Sequence, residues 1–234
     1  MLCNHVQRPI LYGHICPTWS RRPKQNPTIA LILTRQKPAA QVTPNVRIQE
    51  NELIELQPFN EGDFSKLIAE IHDARFLLQW AGPKYTYPLD APQLRDSLAN
   101  TNGEKPSFKV FKVIRSDTTE TVGHIQLMDI DYDAASCILG RVLIFQNYRG
   151  NGSGKAMVKE AVKIAFEDLH LAEINLGVFD FNTPAIGVYK SIGFTEFQFK
   201  KGARQFQNES WNVIRMKLNK DKWLHMNNAN NGIE

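Results

Sequence analysis

The sequence predicts an α/β (α+β) domain, on three observations. Residues 138–145 form a nearly continuous apolar run that reads as a strand buried on both faces. A cationic, glycine-rich turn follows, and from Gly152 the period becomes helical. Met157, Val158, Ala161, Val162, Ala165 and Phe166 then share one face, and Lys155, Lys159, Glu160, Lys163 and Glu167 the other. Third, the stretch 50–218 switches repeatedly between period 2 and period 3.6, in the order β-α-α-β-β-β-α-β-α-β-β, with no internal repeat.

Taken in order, 52–56 alternates weakly and ends near Pro58, a first edge strand. Asn60 can cap a helix to about residue 72, with Phe64, Leu67, Ile68 and Ile71 at helical spacing. Residues 75–81 continue apolar, and 82–88 break regular structure with two prolines. A second helix is expected over 91–100, after Asp90. Residues 107–115 and 121–130 form a hairpin around 116–119. The buried strand 137–145 and a helix over 152–169 follow. Residues 173–178 alternate cleanly, with Ile174, Leu176 and Val178 inward. A helix capped by Asn182, a strand over 194–199, a loop around 201–204 and a last strand over 211–218 complete the domain.

Composition limits the rest. The 234 residues are 42% hydrophobic and 22% charged, as in a soluble chain with one good-sized domain. Residues 1–49 carry seven Arg or Lys, no Asp or Glu, and six of the twelve prolines. Taking those seven charges from the total of +4 leaves 50–234 at about −3. The basic balance therefore belongs to the leader, and no nucleic-acid partner is expected. The expected organisation is a disordered basic, Pro-rich leader over 1–49, a domain over 50–218 and a disordered Asn-rich tail over 219–234. The leader's arginines and lack of acid faintly resemble a transit peptide, but its six prolines work against an amphipathic helix. A plain disordered extension or an early start codon is the expected reading. The apolar run 29–33 is too short to cross a bilayer, so no membrane partner is expected. Three cysteines, Cys3, Cys16 and Cys137, make no disulfide framework and point to a reducing, cytoplasmic setting.

The turn after the buried strand is the first candidate site. Strand, glycine turn and helix together aim free backbone N–H groups and a positive helix end at an anion. Glycines at 150, 152 and 154 clear side chains from a phosphate's approach. Spacing excludes two cradles. Only three residues separate Gly150 from Gly154, and Ala156 follows Lys155, so the magnesium ligand of a Walker A loop is missing. A dinucleotide fingerprint would need a small residue where Lys155 or Met157 stands.

Arg149-x-x-Gly152-x-Gly154 resembles the acetyl-coenzyme A loop of the GCN5-related N-acetyltransferases (GNAT superfamily). A second block, Asn182-x-x-Ala185-x-x-x-Tyr189-x-x-x-Gly193-Phe194, resembles that superfamily's other hallmark. The opening residues and the 80–83 segment look most like the branch related to ribosomal-protein N-terminal acetyltransferases. The resemblance covers 50–218 and implies a mixed, mostly antiparallel sheet of six to seven strands flanked by about four helices. It implies acetyl transfer from acetyl-CoA to a primary amine, small or peptide-borne, by direct attack, with no metal and with a homodimer admitted.

By resemblance, Arg149, Gly150, Asn151, Gly152, Ser153, Gly154 and Lys155 receive the pyrophosphate, and Leu143, Ile144 and Phe145 pair with the pantetheine arm. Tyr189, with a pKa near 10, is the expected acid for the leaving thiolate. Asn182 contacts the cofactor, caps its helix, or does both. Many members carry a glutamate base on the central strand, yet between Ala134 and Phe145 the only charged residue is Arg141. His124 is the candidate base, beside Asp129 and Asp131, with water or the minor neutral amine as alternatives. Trp80, Tyr85 and Tyr87 form either a substrate wall or plugs beneath a loop. Lys201 and Arg204 either meet an acidic substrate or keep a loop soluble. The missing glutamate leaves a second reading open, a catalytically idle acyl-CoA sensor on the same fold. A nucleotide-phosphate binder is a third.

Overall fold

In the computed structural model, residues 54–230 are described, with side chains through Asn228. The expectations for 1–49, for the first residues of the domain and for 231–234 lie outside them.

β1 (Ile54–Pro58) leads into α1 (Phe64–Ala69), α2 (Ala74–Ala81) and α3 (Ala91–Leu98). β2 (Lys109–Arg115), β3 (Thr121–Asp131) and β4 (Ser136–Ile144) follow as consecutive antiparallel strands. Then come α4 (Ser153–Lys163), β5 (Glu173–Phe179), α5 (Thr183–Ile192), β6 (Thr195–Phe206), β7 (Glu209–Asn219) and α6 (Lys220–Asn230). The strands form one sheet in the order β1-β2-β3-β4-β5-β7-β6, in which only β4 and β5 run parallel. This is the mostly antiparallel sheet expected, with six α-helices rather than four.

Two apolar layers hold the sheet. One packs Met157, Val158, Ala161, Val162 and Phe166 against Ile125, Leu127, Leu139, Ile174, Leu176 and Met216. The other packs Phe64, Leu67, Leu77, Trp80 and Leu94 against Val110, Leu143 and Phe145. Each large side chain so enclosed contributes about 1.5–3 kcal/mol relative to exposure.

The structure differs from expectation at five places, each for a local reason. The helix expected to residue 72 stops at Ala69, because Asp73 caps a new one by accepting the Phe76 amide at 2.7 Å. The 152–169 helix finishes in a π turn, Ile164–Asp168. The 201–204 loop is a bulge inside β6, where Gly202 (φ +61) turns its amide to Asn212 Oδ1 at 3.0 Å before pairing resumes at Arg204. The middle of β4 is half-buried rather than enclosed, because it has no partner strand on one edge. The tail is corrected as well, since 220–230 are helical. Trp223, 7% exposed, meets Phe166 at 5.4 Å, and Lys220 Nζ donates to the Phe166 carbonyl at 2.6 Å. One buried tryptophan in an otherwise polar run anchors a segment whose average composition reads as disordered.

Candidate active site

The site grows from the parallel pair. β4 and β5 pair only where Ser136–Ile138 lie beside Glu173–Asn175, and then separate. β3 stays with β4 through two bulges. One lies between Met128 and Asp131, with Asp129 at φ +48, and the other between His124 and Gln126, with Arg141 at φ +48. The second inserts one extra residue into β4, so Gly140 and Arg141 both turn toward the α2 face. A Cβ at Gly140 would meet the terminal methyl of Met128, so a larger residue here would oblige the Met128 side chain to shift.

Three residues were expected to present amides along the open edge. Phe145 does not, for its N–H donates to the Val122 carbonyl at 2.9 Å. Leu143 stands opposite His124 and shares Phe145's direction, because directions alternate along an antiparallel strand. Ile144 is left facing the gap, and its carbonyl accepts Arg149 Nε at 2.8 Å.

At the end of β4 the glycine turn opens as expected. Gly150 and Gly152 have φ +85 and +90, and a Cβ on either would meet nothing within 4 Å. Gly152 gives α4 no side-chain cap. Among the described residues, the amides of Gly150, Asn151, Gly152 and Gly154 donate to no protein group. The others in the turn are engaged. Arg149 donates to Gln146, Ser153 to Asn151 Oδ1, and Lys155 to Gly152. The Arg149 guanidinium lies over Phe76 at 5.8 Å. This geometry fits a diphosphate, with four unspent amides at a helix N-terminus and no side chain in the way.

Tyr189 stands on α5 against Phe194, 7% exposed, and burial pushes its hydroxyl up to about 12. It is a hydrogen-bond donor at neutral pH, and a weaker acid than its unperturbed value suggests. Asn182 caps α5, its Oδ1 accepting the Ala185 amide at 3.4 Å.

His124 is not a base at neutral pH. It is 1% exposed, and burial first, then the Arg141 charge, hold its pKa down to about 3. Its Nε2 meets Gln126 Nε2 at 2.9 Å, while Gln126 Oε1 accepts Arg141 Nη1. The amide nitrogen donates, so His124 carries its proton on Nδ1, which has no partner. Phe59 and Trp80 pack edge-on against the ring at 4.6 and 5.6 Å.

Beneath α2, where β4 and β5 part, a cavity of about 290 Å³ opens. Its walls include Trp80, Phe179, Met128 and four cations, Arg141, Lys200, Arg204 and Arg215, with no carboxylate. Of the expected substrate wall, Trp80 lines this cavity. Tyr85 lies under Arg141, 5.1 Å from ring centre to guanidinium. Tyr87 is outside it, 44% exposed, with its hydroxyl on the His72 carbonyl at 2.9 Å. Lys201 does not line it and Arg204 does. Sequence reasoning missed Lys200, Arg215 and the role of Gln126. The alternation that puts Ile214, Met216 and Leu218 inward leaves Arg215 on the other face, where a solvated charge is the ordinary expectation.

Among the described residues, no group of three or more His, Cys, Asp or Glu could hold a metal, and no helix is long and apolar enough to cross a membrane. Residues 54–195 match the acetyltransferase (GNAT) domain family. Over 100 residues the chain is 33% identical to the SPbeta prophage-derived uncharacterized N-acetyltransferase YokL of Bacillus subtilis, covering 42% of this chain and 54% of that protein. The match thus spans about half the length of that curated relative. The fold resembles spermidine N-acetyltransferase from Vibrio cholerae in complex with CoA and spermine, with a TM-score of 0.64 at 20% identity, over 74% of this chain and 98% of that one. The Vibrio cholerae spermidine/spermine N-acetyltransferase in complex with manganese ions gives 0.61 at 20% identity, over 74% and 96%. With both sequence blocks at the mouth of a parted β4–β5 pair, and a family match over 54–195, the chain belongs to the GNAT acetyltransferase family.

Proposed function

We propose that the protein transfers an acetyl group from acetyl-CoA to a primary amine. The observation that carries this is the parting of β4 and β5 between an open amide cradle on the α4 side and a cavity on the α2 side. Bound acetyl-CoA supplies an activated acetyl thioester. The amides of Gly150, Asn151, Gly152 and Gly154 hold the diphosphate, and the freed edge of β4 at Ile144 lies along the pantetheine arm. An edge amide there stabilises charge developing on the thioester oxygen. Tyr189, fully protonated, donates a hydrogen bond to the departing sulfur. The acceptor's proton leaves through water, since His124 does not take it.

The test adds acetyl-CoA and a panel of amines to the full chain and follows free thiol and acetylated product. Amine-dependent release of one thiol per acetyl is the expected result. Thermal stabilisation by acetyl-CoA with no release would instead make the protein an acyl-CoA sensor, and stabilisation by ATP and magnesium but not CoA a nucleotide binder.

A further inference from the structure

We propose that the cavity beneath α2 receives the acceptor, and that the acceptor is a small amine carrying an anionic group, a carboxylate or phosphate, held by Arg141, Lys200, Arg204 and Arg215. This rests on the acetyl-transfer reading above.

Two cations of the elements around the cavity are paired with carboxylates. Arg75 binds Glu209 at 2.9 Å and Lys217 meets Glu173 at 3.5 Å. The four that line the cavity form no ion pair with any described carboxylate. Arg141 is also placed at a cost. It sits at φ +48 in a bulge, turned into the cavity and braced by Gln126 and the Tyr85 ring. Lys200 and Arg204 are exposed and the Asp129 carboxylate also acts on Arg141, so mutual repulsion is screened. An anion entering the cavity nevertheless meets four cations, none of them in an ion pair with a described carboxylate.

A second observation is independent of charge. Trp80, 8% exposed, lines the cavity, and its Nε1–H has no acceptor; Arg141 Nε–H is likewise buried without one. Both are donors closed off from solvent behind the cavity wall, and they reach an acceptor only where the wall yields to an entering ligand. A polyamine would bring more cations and no acceptor. At about 290 Å³ the cavity lies at the low end for small-molecule sites.

The same cations serve the chemistry. Like charges nearby favour the neutral form of an amine, which supplies a nucleophile without a protein base. The neutral nitrogen forms the C–N bond, the C–S bond breaks, the electron pair leaves on sulfur, and the proton lost by nitrogen balances the thiolate as free thiol.

The test titrates the CoA-loaded full chain, whose phosphate cradle is filled, with matched amines in a calorimeter. The pairs are lysine with cadaverine and phosphoethanolamine with ethanolamine, alongside spermidine. Thiol release from acetyl-CoA is measured for each. The anionic member of at least one pair is expected to bind tenfold or more tightly than its partner, and the pair that responds tells carboxylate from phosphate. Arg215→Ala and Lys200→Ala should each weaken that binding about tenfold, with CoA affinity unchanged and partial recovery in Arg215→Lys. Equal binding across both pairs, preference for cadaverine or spermidine, or no binding by any of them overturns the proposal. Anionic binding without thiol release keeps the cavity assignment and refutes acetyl transfer. Release only with the amines that lack an anionic group does the reverse.

Discussion

The cradle at 149–155 and the cavity beneath α2 flank the same strand, and both suit negative charge. They are built from different material. The cradle is backbone, with amides freed by two positive-φ glycines and a helix start that no side chain caps. The cavity is side chains from β4, β6 and β7, closed by Trp80 of α2. A backbone site can be lost by adding one side chain. A site spread over several elements changes by degrees and depends on what orients each member. Four predictions break or sharpen that contrast, in descending size.

Gly154→Glu should have the largest effect, on the cradle alone. A Cβ at 154 meets only Ile144 Cγ1, at an ordinary 3.9 Å, so the fold accepts the substitution. A carboxylate in the first turn of α4 also suits the helix dipole, and stability should hold or rise slightly. The new charge takes the place of the phosphate and repels it. CoA affinity should fall about a hundredfold, near 3 kcal/mol, while thermal unfolding stays put. Calorimetry beside a melting curve reads both. Unchanged CoA affinity would put the diphosphate elsewhere.

His124 gives the next effect, on the cavity's side. Its folded pKa of about 3 lies below the ordinary 6.5, so the unfolded chain binds a proton that the folded chain refuses. Stability from this group is therefore complete above pH 6.5 and is lost as pH falls toward 3. Between pH 7 and pH 5 the loss is about 2 kcal/mol. Urea unfolding at the two pH values should show it, and His124→Gln should flatten the dependence. A wild-type curve level from 7 to 5 would mean that the ring is not held neutral, and the case against His124 as base would fall with it.

The same contrast explains what the sequence disclosed. Every part of the cradle lies within seven consecutive residues, so local chemistry alone reveals it. Asp90, Asn182 and Pro184 mark helix starts for the same reason. The cavity had no such signature. Arg141 joins it through a bulge that no alternation pattern foretells, and Arg215 and Lys200 through the pairing of strands distant in sequence from β4. His124 looked like a base because a histidine on a strand shows its residue type and not its burial. Trp223 shows the limit from the other side. One anchoring ring outweighed a polar composition, and only packing against Phe166 could reveal that.

Tyr189→Phe should act on turnover between the two sites and spare binding at both. The hydroxyl has no protein partner among the described residues, so its removal costs the fold little. Losing a hydrogen bond made only to the departing sulfur should lower kcat about tenfold with CoA affinity unchanged. Because burial puts the hydroxyl at about 12, any break near pH 10 in the wild-type rate should come from the acceptor amine and persist in Tyr189→Phe. A break there that disappears in Tyr189→Phe would restore the tyrosine as a proton donor.

Tyr87→Phe should do least, and its small size is informative. The ring is 44% exposed and lies outside the cavity, and the hydroxyl's bond to the His72 carbonyl faces water that can replace it. The net cost of such a bond is at the low end of the usual range, about 0.5 kcal/mol. Acceptor KM should not move, whereas Trp80→Phe, which shrinks the ring lining the cavity, should raise it for an anionic amine. A Tyr87→Phe effect on KM as large as that of Trp80→Phe would extend the acceptor site past α2 to the 85–88 segment. The cavity wall would then include a residue whose hydroxyl is free to reach substrate only once its bond to His72 is broken.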